Sequence, residues 1–176
     1  MSGELGKALA QKVTREMTRE QLEEHIANTL NKVKMCTLVT SKDDIPRGTP
    51  IEYFSDGLTL YFSPDSGTKT ENLKVNPNVG VTIYNNVSPD WENDWQTILG
   101  IQITGKGELL EEGDRDYARG AEMIHFEGFL RALGRDETEL PKGRKILKMT
   151  PSKIELLEYG LITKGFASKQ IWNAKT

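Results

Sequence analysis

TLVTSKDDIPRGTPIEYFSDGLTLYFSPDSGTKTENLKVNPNVGVTIY, residues 37–84, is the stretch whose reading decides the fold. Three short runs rich in β-branched and aromatic residues lie in and just before it: MCTLVTS from Met35, RGTPIEYF from Arg47 and LTLYFS from Leu58. They are parted by SKDDIP and SDG, whose Asp, Gly, Pro and Ser favour turns, so the pattern predicts three antiparallel strands. DSGTKTENLKVNPN then predicts a short helix closed by Asn76 and Pro77, because proline has no N–H to continue the ladder. VGVTIYN returns to the period of two that marks a further strand.

Upstream, Thr18 is followed three residues later by Gln21, the spacing of a capping box. Leu22, Ile26, Thr29, Leu30 and Val33 recur on one helical face, which predicts an amphipathic helix from Thr18 to Lys34 packed across one mouth of a barrel. Residues 1–17 are polar and unpatterned; they are expected to be a flexible lead-in to a single domain over 18–176. Downstream, ILGIQITGKGELLEE alternates and predicts a long strand bent at its glycines. Residues 114–133 carry Tyr117, Ala121, Ile124, Phe126, Phe129 and Leu130 at helical spacing, with Gly134 placed as a C-terminal cap. This helix and the charged loop after it form an insertion over about 114–145, and KMTPSKIELLEY predicts a last strand. Helices inserted irregularly between strands suit a mainly β, closed antiparallel barrel better than a doubly wound parallel sheet.

The chain of 176 residues is long enough to bury a core without disulfide or metal staples. Its formal net charge is -3, with basic and acidic residues interspersed, which lacks the footprint of a nucleic-acid binder. One cysteine, Cys36, excludes an internal disulfide framework and a cysteine-based zinc site, and a reducing cytoplasm is the expected location. No apolar run has the length of a membrane span.

The chemistry is expected at SPDSGTKTEN, residues 63–72, which joins a strand to the start of the short helix. Thr68 reads as the helix cap and Glu71 as its capping-box partner. A helix start offers free backbone N–H groups, and beside the Lys69 charge these make a ready phosphate-monoester site. A capped surface helix with a solvated lysine is the alternative reading of the same residues.

Strand order, loop lengths and the Thr-Lys-x-x-Asn-Leu-x-x-Asn-Pro-x-Val stretch at 68–79 together resemble the pyridoxamine 5′-phosphate oxidase-like FMN-binding proteins, over roughly residues 35–110. The resemblance implies a six-stranded antiparallel split β-barrel, a homodimer, and FMN held non-covalently in a groove between subunits. Carried over by position, the phosphate lysine is Lys69. Thr68 stands where the family often has a basic residue, which shifts phosphate neutralisation towards Lys69 and Arg47. Arg47 and Thr49 fall on the strand that lines flavin ring and phosphate, and Phe62 and Ser63 border the ring. Trp95 and Gln102 lie where groups arrive from the second subunit. Near the C-terminus the family's substrate-binding tryptophan and arginine have no counterpart: Leu157 follows Ile154-Glu155-Leu156, and no arginine follows Arg144. Fold and cofactor therefore carry over better than oxidation of pyridoxamine phosphate. The implied function is an FMN-dependent oxidoreductase taking hydride from a reduced nicotinamide; the alternatives are a non-catalytic, stress-related flavin holder, or a haem-binding split barrel for which His125 in MIHFEGF is the suggestive feature. Thr68→Arg, which restores the commoner pattern, should tighten FMN binding in a fluorescence titration; loss of binding would overturn this alignment of the loop.

Overall fold

The computed structural model describes residues 3–88, 90–136 and 143–175. In chain order the elements are α1 (Glu4–Ala10), α2 (Arg19–Lys32), β1 (Met35–Lys42), β2 (Ile45–Glu52), β3 (Phe54–Asp56), β4 (Thr59–Phe62), α3 (Thr68–Val75), β5 (Asn78–Tyr84), β6 (Leu99–Leu110), α4 (Tyr117–Ile124), α5 (Phe126–Ala132), β7 (Ile146–Glu158), α6 (Gly160–Thr163) and β8 (Lys169–Asn173), with a 3-10 turn at Trp95–Thr97. The strands form one antiparallel sheet in the order β2-β1-β5-β6-β7-β4-β3, with β8 also on β7. The sheet curls into a split half-barrel, mainly β with helices at its mouths, as the sequence pattern predicts.

Parity decides what is inside. Thr49, Leu38, Val81, Ile103, Ile154 and Trp172 stand opposite one another across successive strands. In antiparallel pairs opposite residues share a face, so this row points inward. Its members from Leu38 to Trp172 belong to the core, together with Leu22, Ile26 and Leu30 of α2. α2 starts where predicted: Thr18 Oγ1 accepts from the Gln21 N–H at 3.3 Å while Gln21 Oε1 accepts from the Thr18 N–H at 3.0 Å.

The sheet has eight strands rather than six. The expected RGTPIEYF strand divides at Tyr53, whose N–H still donates to the Lys34 carbonyl at 3.0 Å in the register of the β1–β2 pair, and whose phenol, fully buried, donates to the Leu30 carbonyl. The additional C-terminal strand is β8, where Gln170 and Trp172 are buried between exposed neighbours. Its inward polar residue hides the pattern: Gln170 Oε1 accepts from the Met17 N–H and its Nε2 donates to the Ala167 carbonyl. That contact holds Met17, and Ala167 N–H donates to the Arg15 carbonyl at 2.8 Å; α1 lies upstream of both. The predicted helix over 114–133 is two helices, broken at His125, which has left-handed φ 54 and ψ 45. Gly134 does close α5, with φ +68 and Arg135 N–H returning to the Leu130 carbonyl.

The β6–β7 ladder shifts register at Gly105, one of the glycines of β6. A Cβ at Gly105 would lie 2.2 Å from the Thr150 carbonyl oxygen. Opposite, Thr104 pairs with Lys153 and Gly105 with Pro151, so Ser152 is an extra residue, and its hydroxyl donates to the Thr104 carbonyl at 3.0 Å. No helix among the described residues is long and apolar enough to cross a membrane.

His25 on α2 and Glu158 at the end of β7 meet at 2.6 Å between Nε2 and Oε2. That hydrogen bond outweighs partial burial and holds the Glu158 carboxyl below its ordinary value of 4.5. A carboxyl depressed in the folded state stabilises the protein above its unfolded pKa, and the contribution is lost as pH falls through the folded value. Thermal melts should therefore show wild type more stable than Glu158→Gln at neutral pH, with the difference shrinking as pH falls below the ordinary carboxyl value of 4.5 and lost once the lowered folded value is passed.

Candidate functional site

α3 is held over the inward face of β1 by its own asparagines. Asn72 Nδ2 donates to Thr40 Oγ1 at 3.1 Å, with both residues buried, and Asn76 Nδ2 donates to Ser41 Oγ at 2.9 Å. Thr40 stands opposite Arg47, and Leu38 opposite Thr49, so these four side chains share one face of the β1–β2 pair. Lys69 lies one turn before Asn72 on the same side of α3, the side that Asn72 turns to β1.

The cap differs from expectation. Gly67 is the capping residue, with φ +149, and the hydroxyl of Thr70 accepts from the Gly67 N–H at 3.0 Å and donates to the Gly67 carbonyl at 2.7 Å. Thr68 is the first helical residue and exposed, and Glu71 pairs with Lys74 at 2.7 Å instead of reaching back. Thr70 can take the role because its branched side chain is packed, at 5% exposure, beneath the loop it closes. The Thr68 hydroxyl is thereby left uncommitted.

On β2, Thr49 Oγ1 is buried without a hydrogen-bond partner. Such a group costs folding energy unless a ligand or water satisfies it. Arg47, two residues away on the same side of the strand, is exposed.

Ser63 follows β4 beside a groove of about 390 Å³ that runs between Ile51 and Glu52 of β2, Asp65, and the α4–α5 pair above. Its hydroxyl accepts from Arg144 Nε at 2.9 Å and Nη2 at 2.6 Å, which leaves its own proton free to donate. Phe62, one residue earlier, is fully buried and packs against Tyr53 with ring centroids 6.4 Å apart, so its ring is a core group.

The other expected residues lie elsewhere. Trp95 is 2% exposed in the turn before β6, and its indole N–H has no partner. It borders a cavity between α1 and α6, away from β2 and α3. Gln102 is exposed on the outward face of β6, opposite Thr82 and Glu155. Thr49 and Gln102 therefore face opposite sides of one sheet, and a single chain does not bring them together. Burial pushes the Cys36 thiol up to about 12, so it is a packed core group and not a nucleophile. No cluster of three potential metal ligands occurs among the described residues.

The pyridoxamine 5′-phosphate oxidase family model matches residues 22–158, which span the sheet from α2 to the end of β7. The chain belongs to this family. Among solved structures it is similar to a provisionally named pyridoxamine 5′-phosphate oxidase from Listeria innocua, at 27% identity and TM-score 0.58, covering 77% of this chain and 98% of that one. An FAD-binding protein from Mesorhizobium loti shares the fold at 16% identity and TM-score 0.56, covering 76% of this chain and 89% of that one. General Stress Protein 26 from Bacillus anthracis does so at 20% identity and TM-score 0.54, covering 77% and 93%. A comparison with curated proteins found none that match in sequence.

Sequence reasoning missed Asn72 and Arg144. Asn72 had a signal, since it follows Lys69 at the spacing that puts both on one helical face. Arg144 had none, because it sits in a run of charged loop residues and meets Ser63 only across 81 positions of chain. Thr70→Val keeps the packing but removes both bonds to Gly67, and should lower unfolding free energy by about 1 kcal/mol in urea titrations.

Proposed function

We propose that this chain is an FMN-binding flavoprotein, acting as a homodimeric oxidoreductase that passes hydride from a reduced nicotinamide nucleotide to a small acceptor. The observation that carries the reading is the buried, unpartnered hydroxyl of Thr49 on the face shared with Arg47 and with Thr40, to which Asn72 of α3 is bonded. A phosphate monoester fits that donor set. Lys69 and Arg47 supply charge, Thr68 and Thr49 supply hydroxyls, and the α3 start supplies free N–H groups, the arrangement that favours anions.

Bound flavin would supply the redox chemistry. The chain's own groups position and shield. Ser63, with its oxygen occupied by Arg144, has only its proton to offer, so it acts as a donor to an acceptor atom at the ring edge. Ile51 and Phe54 give the groove an apolar floor that excludes water, with Phe126 above. Gln102 faces outward in a row with Thr82 and Ile171, and exposed Tyr84 and Met35 lie near it, which is the composition of a surface covered by another copy. On that reading Gln102 serves the partner's site, while Trp95, packed beneath α6, offers its ring to neither. A cytoplasmic location belongs to the same reading and rests on the single buried thiol of Cys36.

The deciding experiment is the visible spectrum of the purified protein followed by anaerobic addition of NADH or NADPH. Flavin absorption that bleaches with the nucleotide and returns with an acceptor supports the oxidoreductase. Flavin that binds without turnover leaves a flavin holder, and a Soret band in its place moves the site to His125. Lys69→Ala should weaken FMN binding by about 10- to 100-fold, the scale of a charge-assisted hydrogen bond, and leave riboflavin binding unchanged. Equal loss for both ligands would remove Lys69 from the phosphate site.

A further inference from the structure

Arg144 is a half-buried guanidinium with no carboxylate partner among the described residues. Its neighbour in sequence, Lys145, is paired with Glu111 at 2.6 Å, and Lys148 with Asp116. Arg144 is held instead by neutral groups. Its guanidinium carbon lies 4.9 Å from the ring centre of Phe126 and 5.6 Å from that of Phe129. Two of its donors converge on Ser63 Oγ, and its carbonyl accepts from the Tyr117 hydroxyl at 2.9 Å, fixing the residue to α4.

Removing a cation from water without a counter-ion is costly, and two aromatic faces recover only part of that cost. They do something else well. With Ser63 they fix the plane of the fork, and a guanidinium has five donors, so three remain for a ligand. A planar, oriented fork is what bidentate recognition of carboxylate or phosphate requires.

The surroundings define the rest of the ligand. Arg144 is the wall between the groove of about 390 Å³ and a second cavity of about 300 Å³ on the far side of Ser66. The groove side is mostly apolar and aromatic, with Ile51, Phe54, Ile124, Phe126 and Phe129, and carries Glu52, Asp65 and His125 on its lining. The second cavity adds Lys74 and Lys145 to the Arg144 charge, against Asp65 and Glu71. Asp65 lines both cavities beside Arg144, and Lys74 and Lys145 are already paired with Glu71 and Glu111, so it is the three unused guanidinium donors that favour an anion at this end, while a flat apolar body is favoured in the groove.

We propose that Arg144 anchors the anionic group, a carboxylate or phosphate, of a planar apolar acceptor lying in the groove beneath α4 and α5. That the ligand is an acceptor rests on the flavin reading above; that an anion binds at Arg144 does not. The helical insertion thus selects the substrate, by presenting Phe126 and Phe129 to both the guanidinium and the ligand.

Calorimetric titration of the full-length protein without flavin, using 2-naphthoate and its neutral counterpart 2-naphthamide, tests the site. Wild type should prefer the carboxylate, and Arg144→Gln should weaken 2-naphthoate by about 10- to 100-fold while leaving 2-naphthamide unchanged. Arg144→Lys, with charge but no fork, should fall between. Equal affinity for the two probes in wild type, no binding of either, or an unchanged carboxylate preference in Arg144→Gln would overturn the proposal. Should Arg144→Gln fail to fold, Phe129→Ala serves, because Phe129 is 49% exposed and its loss leaves the core intact; it should reduce 2-naphthoate affinity, and unchanged affinity would overturn the proposal. FMN and riboflavin titrations identify the source of the anion. Arg144→Gln that weakens FMN but not riboflavin would assign the flavin's own phosphate to Arg144 and overturn the acceptor assignment. A wild type that binds no FMN yet shows an Arg144-dependent preference for 2-naphthoate would sink the flavin reading and leave the anion site standing.

Discussion

The structure depends on an irregularity in its longest ladder. β6 and β7 pair from Leu99 to Leu110, and at Ser152 the β7 strand carries one residue more than β6 can match. Pro151 has no N–H to give, and the close approach of Gly105 to the Thr150 carbonyl leaves no room for a side chain. The bulge divides the free edge of β7 in two. Leu147–Met149 on one side of it pair with β4, and Lys153–Leu157 on the other pair with β8. A regular strand would offer a single straight edge; a bulged one twists, and so two strands of different origin complete the barrel wall. The groove lies between the end of β2 and Ser63, the residue after β4.

Much of this was legible because it follows from local rules. The β1–β5 region was readable from alternation and turn chemistry, and the start of α2 from the Thr18–Gln21 spacing, since reciprocal bonds between near neighbours need no tertiary information. What escaped depends on distant partners. Tyr53 splits a strand because its phenol has a target on α2, and β8 is a strand although Gln170 points inward, because Met17 and Ala167 satisfy that amide. The Gly67–Thr70 cap escaped for a subtler reason: Thr68 with Glu71 and Gly67 with Thr70 are both capping patterns one residue apart, and burial of Thr70 decides between them. At the candidate site, Arg47 and Thr49 share the face of the β1–β2 pair to which Asn72 of α3 is bonded, a placement that strand order already implied. Arg144 reaches Ser63 only through the closed fold.

Parity carries the argument about assembly one step further. Along antiparallel ladders inward and outward residues alternate without exception between bulges, so the face of each residue follows from its register. Thr49 belongs to the row ending in Trp172, which is buried, and Gln102 to the row holding Thr82, Glu155 and Ile171, which is not. No rotamer carries Gln102 through the sheet. If both residues touch one ligand, two chains must supply them, and each chain then presents its outward row to its partner. The exposed Ile171 and Tyr84, at 57% and 63%, are the apolar surface that such a contact would remove from water. A ligand that touches both residues would thus need a second copy because of the alternation that builds the core: the same pleat that hides Leu38, Val81 and Ile103 must turn their neighbours outward.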